Sequence, residues 1–341
     1  MKIALTGGGT GGHLAIASAL LSALKSEGHE AIYIGSTAGQ DRAWFENEEA
    51  FETRYFLDTT GVVNRVFLAK IWALFKILRA ALQARSILKK EKIDAVIAVG
   101  GYSAAAATFA AYTKNIPFFI HEQNAVMGRL NSVMKPYARA FYSAYEEASP
   151  VKDYPVREIF FETAHIREKI ETVIFLGGSQ GARFINNLAI ETASICKAKG
   201  MRVIHQCGEG DFERVKKAYA DQKIEVELYS FTSKIPELIA SADLAVSRAG
   251  ASTLWELTAN GLPALYVPYP YAAGDHQFYN AQFLVEKGLG WSHRESDSYS
   301  RNLITVLDSD LREKSEGLMQ LAKKEGALAL IKDVVGEINV S

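Results

Sequence analysis

The run TGGGTGGH, residues 6–13, puts almost no side chain between an apolar stretch, Ile3–Leu5, and a helix-forming one, Leu14 to Leu24. A strand that passes through glycines into a helix presents bare backbone N–H groups at a helix N-terminus, a place for an anion or a close-packed polar ligand. The same loop also serves a chain that must only reverse tightly. It is neither a dinucleotide G-x-G-x-x-G in its usual setting nor a phosphate loop ending in G-K-[ST]. In the second half GGSQGAR, residues 177–183, offers backbone amides, the Ser179 hydroxyl and a helix start, which suit a phosphate or a packed helix entry. SRAGASTLWEL, residues 247–257, sets Gly250 in a turn after a strand and places Ser252 and Glu256 four apart on one helical face. A carboxylate there accepts both hydroxyls of a ribose, or lies solvated on the helix. HEQN, residues 121–124, ends a strand with four polar side chains, a costly run unless it faces a ligand or water. GDHQFYNA, residues 274–281, offers the His276 ring and the Gln277 amide to sugar hydroxyls, or marks a helix capped by Asp275.

The elements that must position these residues read as an α/β series. Strand-like runs fall at Ile3–Leu5, Ala31–Ile34, Ala95–Val99, Phe118–His121 and Ala140–Tyr142, then at Thr172–Phe175, Arg202–His205, Val226–Tyr229, Leu244–Val246 and Ala264–Val267. Helix-length segments separate them, which predicts parallel β-α-β units and a doubly wound fold. The series restarts near residue 171 with strand, glycine loop and helix, so two similar domains are expected. The stretch from Ser149 to Glu171, with Pro150 and Pro155, marks the boundary. The domains are set at 1–155 and 156–324, with a terminal helix over 325–341 expected to return to the first. Ligands of open α/β sheets lie outside the carboxyl ends of the strands, so the motifs are expected to line a cleft between the two sheets.

Composition narrows the partners. A formal net charge of −1 gives no global attraction to nucleic acid. The two cysteines, Cys196 and Cys207, read as core residues of a reducing compartment, with no secretory signal expected ahead of the first strand. Ala95 to Thr113 runs 19 residues without a charge, but Gly100-Gly101-Tyr102-Ser103 breaks it into a buried strand and a small-residue helix rather than a membrane span. Between Arg65 and Lys92, eight basic residues and one acidic one are interleaved with Ile71, Trp72, Leu74, Phe75, Ile77, Leu78 and Leu82. That is the composition of a helix at an anionic membrane surface, with part of its face buried in the first domain. The one D-x-D triplet, Asp308-Ser309-Asp310, lies between helices where capping explains it, and no Cys/His cluster has zinc spacing, so neither a metal nor a cofactor is expected.

Taken in order, GGGTGGH, GGYS, HEQN, PVR, GGSQGAR, SRAGASTLWEL and DHQFYNA resemble the MurG family, the N-acetylglucosaminyltransferases of peptidoglycan synthesis, over nearly the whole chain. The resemblance implies a GT-B fold of two Rossmann-like domains. It also implies inverting, metal-independent transfer of N-acetylglucosamine from UDP-N-acetylglucosamine to the 4-hydroxyl of the muramoyl sugar of lipid I, an undecaprenyl-diphosphate-linked muramoyl pentapeptide. The product is lipid II, made at the cytoplasmic face of the bacterial inner membrane by a peripheral enzyme. On the acceptor side it points to Thr10, Gly11, Gly12, His13, Tyr102 and Ser103, with His13 as the base that takes the hydroxyl proton. On the donor side it points to Arg157, Ser179 and the amides of Ala251 and Ser252 for the diphosphate, Glu256 for the ribose and the backbone of Thr232 for the uracil. Asn124 and Gln277 then fall at the sugar, and Gln180, Thr253 and His276 complete the expected donor-binding set. Three departures stand out: Tyr154 in KDYPVR where the family has asparagine, LAIA after His13 where it has an aromatic-proline pair, and His276-Gln277 where some members have two glutamines. Competing readings are another GT-B transferase using a UDP-sugar, a UDP-sugar 2-epimerase and a nucleotide-binding protein without turnover. A dehydrogenase is disfavoured, since no acid closes the strand Ala31–Ile34.

Overall fold

All ten apolar runs form strands, and every strand pair is parallel, as expected where helices cover both faces. The structure is a computed structural model that describes residues 1–61, 67–178, 182–295 and 299–340. The chain divides into two compact units, one made of Met1–Arg157 with Glu325–Ser341, the other of Glu158–Lys324.

In the first unit β1 (Lys2–Thr6), β2 (Glu30–Ser36), β3 (Thr53–Leu57), β4 (Ala95–Ala98), β5 (Phe118–Glu122) and β6 (Ala140–Ser143) lie in the order β3-β2-β1-β4-β5-β6. Its helices are α1 (Gly11–Ser26), α2 (Asp41–Phe45), α3 (Phe67–Lys90), α4 (Ala104–Thr113) and α5 (Arg129–Met134). In the second unit β7 (Thr172–Leu176), β8 (Arg202–Gln206), β9 (Glu227–Tyr229), β10 (Leu244–Ser247), β11 (Ala264–Tyr266) and β12 (Trp291–Ser292) lie in the order β12-β11-β10-β7-β8-β9. Its helices are α6 (Ile159–Glu162), α7 (Arg183–Ala198), α8 (Phe212–Gln222), α9 (Ile235–Ala240), α10 (Ala251–Ala259), α11 (His276–Val285), α12 (Tyr299–Val306) and α13 (Arg312–Leu321). The last helix, α14 (Gly326–Asn339), packs on α1 in the first unit, where Asp333 accepts from Tyr142 Oη at 2.7 Å and Glu337 pairs with Arg139 at 2.8 Å.

Counted from its own first strand, each sheet has the order 3-2-1-4-5-6. Each therefore has one point where the winding reverses, between β1 and β4 and between β7 and β10. Ligands of such sheets gather at that point. The uncharged run 95–113 is β4 followed by α4, and among the described residues no helix is long and apolar enough to cross a membrane. The stretch 149–171 is packed rather than loose: Ser149, Tyr154 and Val156 are buried in the first unit, Phe160 and Arg167 in the second.

Candidate functional site

At the first reversal point the glycine loop after β1 is fixed by bonds that the sequence does not announce. Gly8 N donates to Gly100 O at 3.2 Å, and Gly9 N donates to Asp41 Oδ2 at 2.6 Å. Asp41 is fully buried at the start of α2, and its Oδ1 accepts from Ser36 N at 2.9 Å and from Tyr33 Oη at 3.1 Å. A Cβ on Gly101, at φ +78°, would lie 2.2 Å from Gly8 O, so the two turns touch as bare backbone. With Gly8 and Gly9 so engaged, the amides left to an anion are those of the first turn of α1, Gly11 and Gly12, which have no acceptor within the helix. The anion-binding capacity thus sits one step beyond the glycines, at the helix start itself.

His13 lies in that first turn, half-buried. Its Nδ1 is 2.9 Å from Thr10 Oγ1, and its Nε2 is 2.8 Å from Gln123 Nε2. Gly100, at φ +93°, lies against the ring, where a Cβ would come 3.1 Å from Nε2. Tyr102 lies against Gly9, and Ser103 is buried beside it at the head of α4.

The HEQN run corrects an expectation. His121 and Glu122 face neither ligand nor water but are buried and, for the carboxylate, internally satisfied. Glu122 accepts from Asn124 N at 3.0 Å, Gly128 N at 2.8 Å and Asn131 Nδ2 at 2.8 Å, and so shapes the loop that carries Asn124. His121 packs edge-on against Tyr154, ring centroids 5.5 Å apart, and burial pushes its pKa down to about 3. Tyr154, standing where the resemblance has asparagine, therefore fills the core beside a neutral imidazole.

In the second unit Ala251, Ser252 and Thr253 form the first turn of α10 directly after Gly250, again with amides that lack intrahelical acceptors. Ser252 Oγ donates to Glu256 Oε1 at 3.2 Å, so the expected helical face exists and half of the carboxylate is already oriented. Gln277 Oε1 accepts from Tyr269 N at 3.0 Å, and His276 Nδ1 lies 2.9 Å from Ala273 O. Asp275 does not cap α11: its backbone is left-handed at φ 56°, and its carboxylate pairs with Arg294. Thr232 Oγ1 accepts from Lys234 N at 3.0 Å in the loop after β9. Arg157 is half-buried. Ser179 and Gln180 lie outside the described residues. The D-x-D carboxylates have other work, Asp310 accepting from Arg312 N at 2.9 Å and Asp308 pairing with Lys199. Among the described residues no group of three His, Cys, Asp or Glu side chains could hold a metal.

Helix α3 is built inside out. It buries Ala73, Ala80 and Ala84, small residues that let it pack closely on the alanines of α4, and Ile87 and Leu88 in its last turn. It exposes Trp72, Phe75, Leu78 and Leu82, all more than half accessible, with Trp72 and Phe75 stacked 5.8 Å apart. Exposed Arg79, Arg85, Lys89 and Lys90 lie among and beyond them. Beside this ridge a cavity of about 310 Å³ is lined by Thr37, Phe56, Asp58, Lys76 and Arg79.

Two Rossmann-like units, each with its polar side chains gathered at the carboxyl ends of parallel strands, define a glycosyltransferase of the GT-B fold. The family model for the glycosyltransferase family 28 N-terminal domain matches residues 3–143, and that for its C-terminal domain matches residues 172–335. The chain is 54% identical over 99% of its length to the whole of a protein from Sulfurimonas denitrificans named UDP-N-acetylglucosamine--N-acetylmuramyl-(pentapeptide) pyrophosphoryl-undecaprenol N-acetylglucosamine transferase. It is 53% identical over 96% of its length to 97% of a protein of the same name from Wolinella succinogenes. The crystal structure of Acinetobacter baumannii MurG superposes with a TM-score of 0.77 at 27% identity, covering 100% of this chain and 99% of that one. The chain belongs to glycosyltransferase family 28, and within it to the MurG family.

Proposed function

We propose that this chain transfers N-acetylglucosamine from UDP-N-acetylglucosamine to the 4-hydroxyl of the muramoyl sugar of lipid I, giving lipid II for peptidoglycan. Membership of the family over the full chain carries this reading. The acceptor hydroxyl loses its proton to His13 while its oxygen attacks C1 of the donor sugar. The C1–O bond to UDP breaks with its electron pair going to the phosphate oxygen. The first-turn amides of α1, at Gly11 and Gly12, hold the acceptor diphosphate with Thr10, Tyr102 and Ser103 around it. Arg157, Ser179, Gln180 and the amides at Ala251, Ser252 and Thr253 take up the charge of the departing diphosphate. Glu256 binds the ribose, the Thr232 backbone the uracil, and Asn124, His276 and Gln277 the sugar.

One displacement inverts the anomeric centre, and Glu122 supports a single displacement by being consumed in structural hydrogen bonds rather than poised as a nucleophile. The engagement of Asp308 and Asp310 by Lys199 and the Arg312 amide supports stabilisation of the leaving group by cations and amides rather than by a divalent ion. UDP release from UDP-N-acetylglucosamine, with and without a lipid I analogue and in EDTA, tests the reading. Acceptor-dependent release that survives EDTA is expected; release without acceptor favours an epimerase or hydrolase, and binding without release overturns catalysis.

The exposed ridge of α3 supports docking at the anionic cytoplasmic face of the inner membrane, where the acceptor lies. Trp72→Ser combined with Phe75→Ser is expected to weaken co-sedimentation with phosphatidylglycerol vesicles at least about tenfold, since each buried aromatic contributes roughly 1.5–3 kcal/mol. Undiminished binding overturns the membrane reading.

A further inference from the structure

Gln123 is 7% exposed, one residue beyond the end of β5, and its side-chain amide reaches Nε2 of His13. A Gln Nε2 only donates, so it makes His13 Nε2 the acceptor nitrogen of a neutral ring and leaves the proton on Nδ1, facing Thr10 Oγ1. The other end of the same amide, Gln123 Oε1, is buried without a hydrogen-bond partner. Buried acceptors without partners are rare and costly. Half a turn of the terminal amide would exchange nitrogen for oxygen at His13. The orphan oxygen then accepts from Nε2–H of an imidazolium, which has two donors and no lone pair to offer.

We propose that Gln123 sets the proton on His13: its amide nitrogen holds the ring neutral with the proton on Nδ1, and its oxygen receives the ring once Nε2 is protonated. The inference rests on His13 being the base. In the reaction the acceptor hydroxyl displaces the Gln123 N–H from Nε2, its proton passes to Nε2, and its oxygen bonds to C1 as UDP leaves with the electron pair. The imidazolium is then held at both ends, by Thr10 Oγ1 and by the turned Gln123 oxygen, until Nε2 returns its proton to solvent. Gln123 is thus a positioning residue, working through His13 as an outer partner works through the ring it orients.

The other titratable groups around this ring are buried or bonded elsewhere. His121, from β5, is buried, and its charged form is opposed by that of His13. Glu122, on the same strand, is turned onto Asn124 N, Gly128 N and Asn131. Asp41, beneath the glycine loop, is taken by Gly9 N, Ser36 N and Tyr33, and the Tyr102 hydroxyl is bonded to Ser36. Gln123 is the side chain whose amide lies on Nε2 itself, at 2.8 Å.

The test uses the full chain with ¹⁵N-labelled histidine and no substrate, the His13 signals being assigned by their loss in His13→Gln. Long-range ¹H–¹⁵N spectra are expected to show His13 neutral with the proton on Nδ1. Gln123→Glu, which puts an anion at Nε2, should raise the His13 pKa by about one unit or more, a tenfold gain in proton affinity. The acid limb of kcat against pH should move up by the same amount while donor KM holds. Gln123→Met, close in shape but with neither donor nor acceptor, keeps the test alive if the glutamate variant does not fold, and should leave the two tautomers mixed. Unchanged tautomer and titration in these variants overturn the proposal. A titration that moves while the acid limb stays still supports the role of Gln123 and removes His13 as the base.

Discussion

The two units share one strand order and set their polar residues at matching strand ends, but they hold those residues by different means. In the first unit the supports are buried: Asp41 under the glycine loop, Glu122 under the Asn124 loop, Gln123 against His13. In the second unit the supports are partly or well exposed: Ser252 on Glu256, the Tyr269 amide on Gln277, Asp275 with Arg294. A group that moves a proton must stand in one geometry before the substrate arrives, and buried hydrogen bonds enforce that. Groups that recognise a nucleotide sugar keep their hydration until the ligand replaces it. If His13 moves the proton and Glu256 and Gln277 hold the donor, as proposed, one scaffold supplies a preorganised reacting half and an adaptable recognising half.

The sharpest way to break this contrast is a kinetic pair. His13→Ala is expected to lower kcat by about 10²–10⁴ with donor KM nearly unchanged. Glu256→Gln is expected to raise donor KM about tenfold, the order lost with one charge-assisted hydrogen bond, with kcat nearly unchanged. Steady-state kinetics on a soluble lipid I analogue decide it: if both variants fall in the same parameter, the division of labour is wrong.

Next in size comes the support beneath the glycine loop. Asp41→Ala strands the Gly9 and Ser36 amides in a buried site and takes a partner from Tyr33, which keeps its bond to Gly7 O. At roughly 1–3 kcal/mol for each unsatisfied group, the first unit should lose about 3 kcal/mol in urea unfolding. Removing the part-exposed Asp275 carboxylate in the second unit should leave urea unfolding within about 0.5 kcal/mol of the parent. Equal losses would mean that burial does not separate the two halves.

Much of this architecture is legible in the order of the residues. Apolar runs between helix-length segments mark ten of the twelve strands, because a strand buried on both faces must be apolar throughout. The two that carry no such mark, β3 (TRYFL) and β12 (WS), are sheet edges, half-exposed, and β12 is only two residues long. Glycine loops and helix starts locate the candidate site, and the spacing of Ser252 and Glu256 implies their bond. The supports are what the sequence hides. A dinucleotide fold keeps an acid at the end of its second strand, whereas Asp41 stands five residues beyond the end of β2 and turns inward to Gly9. HEQN is plainly polar, but the run does not say which member packs inward and which touches His13. Arg167 lies in a stretch that reads as a boundary, yet it is 1% exposed and held by carbonyls of His165, Ile239, Ala242 and Asn260. Backbone acceptors leave no signature in sequence, so a buried cation satisfied by them looks like any surface arginine.

Each unit also buries one neutral histidine, and these offer the finest comparison. Burial holds both His121 in the first unit and His205 in the second near pKa 3, with His205 set between Tyr219 Oη at 2.8 Å and Asn186 Oδ1 at 3.0 Å. Below the ordinary histidine pKa of about 6.5 the unfolded chain binds a proton that the folded chain refuses. Each ring therefore gives stability that is complete above about pH 6.5 and declines as the pH falls toward 3, by about 2 kcal/mol at pH 5. His205→Phe should flatten that decline in the second unit alone, and His121→Phe in the first alone, when hydrogen exchange of each unit is followed at pH 7.5 and 5.0. His121 packs on Tyr154 with its Nδ1 unpartnered, while His205 gives up two hydrogen bonds to phenylalanine. At pH 7.5, where neither ring carries a proton, the His205 variant should therefore be the weaker of the two. If instead the His121 variant loses more, the imidazole at position 121 has a task in the folded first unit beyond filling space beside Tyr154.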